Sequence, residues 1–119
     1  NVFYPGLSDH PQSDLQIQQA YGPGAVLSFE LENAEALTRF IEHVKLPVFA
    51  VSLGAVESIL SYPAKMSHAA MPQDERERRG ITDGLLRLSV GLENADDLIA
   101  DFEQALDYIG TLAAQKEEI

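Results

Sequence analysis

The sequence predicts an α+β fold: a small, mostly antiparallel sheet with helices packed on one face. Segments at 25–31, 48–53 and 85–90 alternate in polarity with the period of a strand. Two stretches, opening at Asn33 and Asn94, repeat apolar residues at helical spacing behind a capping side chain. Over 119 residues, 45% hydrophobic and 23% charged is the composition of one folded unit.

Taken in order, residues 1–24 carry Pro5-Gly6, Pro11 and Gly22-Pro23-Gly24, so they read as a connecting segment. A short helix is expected within 11–21. Residues 25–119 form the folded body. In 25–31, Leu27, Phe29 and Leu31 share one face, with Val26, Ser28 and Glu30 on the other. Asn33 caps a helix whose stripe is Leu37, Phe40, Ile41 and Val44, and Pro47 closes it. A second strand, 48–53, sets Phe49, Val51 and Leu53 opposite Val48, Ala50 and Ser52. Gly54 turns the chain. Residues 55–60 are expected as a short helical turn, and 61–72, broken by Pro63 and Pro72, as irregular.

The run 74–79 reads as one charged helical turn stopped by Gly80, with Arg76, Arg78 and Arg79 among Asp74, Glu75 and Glu77 on a solvated face. The third strand, 85–90, alternates Leu86, Leu88 and Val90 with Leu85, Arg87 and Ser89. Asn94 caps the last helix, Asp96 and Asp97 complement its dipole, and Leu98, Ile99, Phe102, Ala105, Leu106 and Ile109 form its stripe. Gly110 and the tail 115–119 are expected to end it. The acids from Glu93 to Asp107 are assigned to its outward side.

The strand faces make a further expectation. Leu27, Phe29, Leu31, Phe49, Val51, Leu53, Leu86, Leu88 and Val90 should lie under the helices. Ser28, Glu30, Ala50, Ser52, Arg87 and Ser89 should form an open, small and polar face.

The charge excludes several classes. Eight Lys+Arg against 19 Asp+Glu give 8 − 19 = −11, which disfavours nucleic acid and anionic membranes as partners. The longest apolar run, 47–51, is far below the roughly 20 residues that span a bilayer. No basic segment followed by an apolar one marks a secretory signal. With no Cys there is no disulfide, thiol nucleophile or Cys-based metal site, which fits a reducing cytoplasm. His10, His43 and His68 lack metal-ligand spacing, with His43 placed to complement a helix dipole. Lys45, Lys65 and Lys116 lack the apolar surroundings of a Schiff-base lysine. A chain opening on Asn1 is expected to be a piece of a longer protein.

Arg87 is the most informative residue. A guanidinium in the middle of an apolar strand either reaches water from a one-sided sheet or grips an anion. A carboxylate matches its planar fork. Ser52-Leu53-Gly54 ends a strand, where a hydroxyl and free N–H groups suit an anion, and Glu57 follows closely. From the residues alone, no complete catalytic set is present.

Five ordered runs carry a resemblance. They are Val2-Phe3-Tyr4-Pro5-Gly6-Leu7, Leu27-Ser28-Phe29-Glu30-Leu31, Ser52-Leu53-Gly54-Ala55-Val56-Glu57-Ser58, Tyr62-Pro63-Ala64-Lys65-Met66-Ser67-His68, and Gly80-Ile81-Thr82-Asp83 with Arg87-Leu88-Ser89-Val90-Gly91-Leu92-Glu93. Together they resemble the pyridoxal-phosphate-dependent transsulfuration enzymes, the Cys/Met metabolism family of cystathionine synthases and lyases and methionine γ-lyase. The likeness runs from about Val2 to Leu106 and covers the family's C-terminal domain, the small domain of fold-type-I pyridoxal-phosphate enzymes.

The resemblance implies that Arg87 pairs with the α-carboxylate of an amino-acid substrate, supported by Ser52. Leu53 belongs to the same substrate-binding set, and Glu57 borders the distal side chain. Ala55 departs from the family, many members having a second Gly there. The cofactor, its Schiff-base lysine and its phosphate cup are implied for a separate N-terminal domain, so that this chain alone binds no cofactor and holds no catalytic residue. The whole protein is implied to be a cytoplasmic homotetramer performing β- or γ-elimination or replacement, with residues 66–72 nearer to the lyases. Two alternatives remain open: a stand-alone amino-acid-binding module, or an assembly domain whose sheet face docks a partner.

Overall fold

In chain order the computed structural model, which describes residues 1–117, comprises β1 (Val2–Phe3), α1 (Ser13–Gln19), β2 (Val26–Glu30), α2 (Ala34–His43), β3 (Val48–Phe49), β4 (Ile59–Ser61), α3 (Gln73–Arg78), β5 (Leu85–Ser89) and α4 (Ala95–Glu117). The strands form one sheet in the order β1-β2-β5-β4-β3. Pairings β1–β2, β2–β5 and β4–β5 are antiparallel, and β3–β4 is parallel.

Register follows the polarity pattern. Leu27 and Leu60 lie opposite Leu88 on either side of β5, and Phe29 lies opposite Leu86. The intervening row is Ser28, Arg87 and Ser61. Side chains alternate across a strand, so one face of the sheet is apolar and the other carries the polar row.

The apolar face is covered by α2 and α4. Asn33 Oδ1 caps α2 by accepting from the Ala36 N–H at 2.9 Å, and Asn94 Oδ1 accepts from Asp96 and Asp97 N–H at the start of α4. Leu37 and Phe40 of α2, Ala105 of α4, and Leu60 and Leu86 of the sheet are completely buried. Phe29, Phe40 and Phe102 join the layers with ring centroids 5.3–6.1 Å apart, two of the three pairs edge-on.

Several expectations change. The helical turn expected at 55–60 and the irregular start of 61–72 are instead interrupted by β4, a wholly buried strand. Its three residues are too few to display an alternation, and they are apolar on both sides of the pleat at Ile59 and Leu60. The strand expected at 48–53 ends at Phe49. Phe49, Val51 and Leu53, expected under the helices, are 46%, 62% and 55% exposed, because the sheet edge and the loop after it lie beyond the reach of α2 and α4. The first 24 residues contain the expected helix as α1, and they also supply the edge strand β1.

The last helix passes through Gly110 to Glu117, so glycine does not stop it; residues 118–119 of the expected tail lie outside the described residues. Asp101 does not face outward. It is 7% exposed, and its carboxylate accepts from the Lys45 and Leu46 N–H groups at 2.8–3.0 Å, tying the end of α2 to α4. Arg76 likewise leaves the solvated face: it is buried and pairs with Asp83 at 2.6 Å, holding α3 against the turn into β5.

Because β4 is the buried neighbour of β5, its packing weighs heavily on stability. Leu60→Ala is expected to lower the unfolding free energy by about 2–5 kcal/mol, measured by urea denaturation.

Candidate functional site

The site is built from β5, the loop 50–58 between β3 and β4, and the segment 90–93 that continues β5. Arg87 stands on the polar face of the sheet. That face is not open here as expected: Ser61 and Ser89 beside Arg87 are buried, because the loop 50–58 is tied across this part of the face. Arg87 Nη2 donates to the Ser52 carbonyl at 3.0 Å and to Ser61 Oγ at 3.3 Å. Ser61 Oγ in turn donates to the Ala50 carbonyl at 2.6 Å. The guanidinium is thereby held by one terminal nitrogen. Its Nε–H is buried and has no partner.

The loop is fixed to β5 at further points. The Gly54 N–H donates to Ser89 Oγ at 2.8 Å, and Gly54 takes a φ of +74°, which favours glycine. The Leu92 N–H donates to the Val56 carbonyl at 2.7 Å. Ser58, fully buried, gives its N–H to both oxygens of Glu93 at 3.1 and 2.9 Å and its hydroxyl to Glu93 Oε1 at 2.9 Å. The same hydroxyl accepts from the Gly91 N–H at 2.9 Å.

Of the residues singled out in the sequence, Arg87 and Ser52 meet, but Ser52 does so through its carbonyl. Leu53 and Glu57 lie exposed along the same loop. The departure at Ala55 costs nothing in backbone strain, since among the described residues no residue other than glycine has positive φ. Sequence reasoning missed Ser61, Ser58 and Glu93. Ser61 becomes visible only when β4 is recognised, because its place opposite Arg87 is a matter of register. Glu93 looked like one more acid before a helix.

Residues 1–107 match the family described as Cys/Met metabolism PLP-dependent enzyme. The chain belongs to that family. It is 68% identical over 114 residues to the cystathionine beta-lyase MetC of Bacillus subtilis, covering 96% of this chain and 29% of that protein. It is 49% identical over 109 residues to an L-methionine gamma-lyase of Fusobacterium nucleatum, covering 91% and 28%. Among solved structures, the cystathionine gamma synthase of Xanthomonas oryzae in complex with cystathionine superposes with a TM-score of 0.87 at 45% identity, covering 93% of this chain and 29% of that one. The chain therefore spans under a third of the length of these Cys/Met metabolism relatives.

The family's pyridoxal phosphate needs a lysine amine and a phosphate-binding set. Among the described side chains, Lys45 and Lys65 are exposed; Lys45 follows α2 at its seam with α4, and Lys65 precedes Met66, which packs on the core. Neither joins the polar groups around Arg87, so these residues do not fit the cofactor. The donor set at Arg87 fits a carboxylate instead.

Glu93 has its pKa held below the ordinary carboxylate value, chiefly because the Ser58 N–H bonds favour the ionised form. A lowered folded pKa stabilises the protein above the unfolded value, about 4.3, and that contribution is lost as pH falls through the folded pKa. Glu93→Gln is expected to flatten this acid limb of stability. Urea unfolding of both proteins between pH 3 and 7 measures it; an unchanged limb contradicts the assignment.

Proposed function

We propose that this chain is the C-terminal, substrate-carboxylate-binding domain of a pyridoxal-phosphate-dependent C–S lyase of sulfur amino-acid metabolism. Residues 1–24 lead into it and contribute the edge strand β1, and the main body begins at residue 25. The observation that carries the reading is the buried, unpartnered Nε–H of Arg87 beside an anchored Nη2. A buried donor left without an acceptor costs about 1–3 kcal/mol. A carboxylate arriving over the sheet would relieve that cost and accept charge-assisted bonds from the planar fork.

In this reading Arg87 binds the substrate α-carboxylate. The Ser52 and Ser61 oxygens hold the guanidinium so that the carboxylate meets it in one orientation. Leu53 and Glu57, exposed on the same loop, border the substrate. The cofactor, which supplies an electron sink when bound, belongs with its lysine to an N-terminal domain of the same protein. The exposed margins of this sheet face, with Phe3 and Val26 on one side and Val48 on the other, suit docking against that domain. The whole protein is proposed to be a cytoplasmic homotetramer. The 68% identity to a cystathionine beta-lyase favours cystathionine as substrate and elimination as reaction.

Two outcomes are expected. In the full-length holoenzyme, Arg87→Lys keeps the charge but loses the fork, and lowers kcat/KM for cystathionine about 10–100-fold through a raised KM. Steady-state kinetics checks this, and an unchanged KM overturns the role of Arg87. The 119-residue chain alone releases no pyruvate or 2-oxobutyrate from cystathionine; release of either overturns the division of labour between domains.

A further inference from the structure

The loop that contacts Arg87 has no regular structure of its own: residues 50–58 leave β3 and reach β4 without forming a helix or strand. Its shape is imposed from β5 and the segment 90–93. The Gly91 N–H donates to Ser58 Oγ, and that hydroxyl donates to Glu93 Oε1, both at 2.9 Å. The Ser58 N–H closes the circuit on the same carboxylate. Both Ser58 donors end on the Glu93 oxygens.

Gly91 allows the approach. A Cβ there would lie 2.4 Å from the Val56 carbonyl oxygen and 2.5 Å from Glu93 Oε1, so any side chain would push loop and carboxylate apart. The loop then returns to the site through Leu92-to-Val56 and Gly54-to-Ser89 bonds and presents the Ser52 carbonyl to Arg87.

We infer that Glu93, acting through Ser58 and Gly91, is a positioning residue that sets the loop 50–58 and thereby the orientation of Arg87 toward a substrate carboxylate. The inference rests on the carboxylate-binding reading of Arg87. Glu93 touches no substrate. It fixes the loop whose Ser52 carbonyl holds the guanidinium, and a displacement of about 1 Å in such a group costs up to about 10²-fold in rate.

The test compares a substrate with its α-carboxamide counterpart in the full-length holoenzyme, reading the ratio of the two kcat/KM values. Glu93→Ala is expected to lower the acid-over-amide ratio about 10-fold, chiefly through KM for the acid. A purely structural role would slow both compounds equally and leave the ratio unchanged, which would falsify the inference. Arg87→Lys is measured alongside. If it lowers the ratio and Glu93→Ala does not, the positioning role fails while the carboxylate reading stands. If neither variant moves the ratio, the carboxylate reading fails and takes the positioning role with it. Should Glu93→Ala fold poorly, the isosteric Glu93→Gln, which keeps one acceptor oxygen, is expected to shift the ratio in the same direction by a smaller factor; an unchanged ratio there also overturns the inference.

Discussion

The register of β5 is the constraint on which the rest of the structure depends. This strand is hydrogen-bonded on both sides, to β2 and to β4, and its alternate residues serve opposite demands. Leu86 and Leu88 enter the core with Leu37, Phe40, Leu60 and Ala105. Arg87 stands between them on the other face. A slip of one residue would drive the guanidinium under two helices and expose the leucines, so the core and the site are fixed by the same pairing.

The polar groups on that face depend on one another in the same way. Arg87 Nη2 is anchored by a backbone carbonyl and a hydroxyl, and the hydroxyl is itself anchored to Ala50. The loop that provides the Ser52 carbonyl is stitched to the continuation of β5 by Ser58, Gly91 and Glu93, while Ser61 is held in β4. One strand and its extension thus carry both the charged group and the scaffold that aims it. The chain carrying this arrangement belongs to the Cys/Met metabolism family.

Acidic side chains divide into two kinds. Most lie on the surface and account for the negative charge. Asp101 and Glu93 instead satisfy backbone N–H groups at the end of α2 and in the loop 50–58. Both use a carboxylate to accept several donors where no regular element does so, and neither role can be told from composition.

By itself the sequence determined the two capped amphipathic helices, the strands β2 and β5 and the polar face bearing Arg87. Each of these rests on a local period or a local hydrogen bond within a few residues. Tertiary structure decided β1, β4, the early end of β3 and the passage of α4 through Gly110. Short strands have too few residues to show a period, and they exist only because a longer neighbour offers them hydrogen bonds. It also decided that Ser61 lies opposite Arg87 and that Glu93 reaches Ser58, 35 residues away in the chain. Those contacts are set by register and loop closure, and no local pattern encodes either.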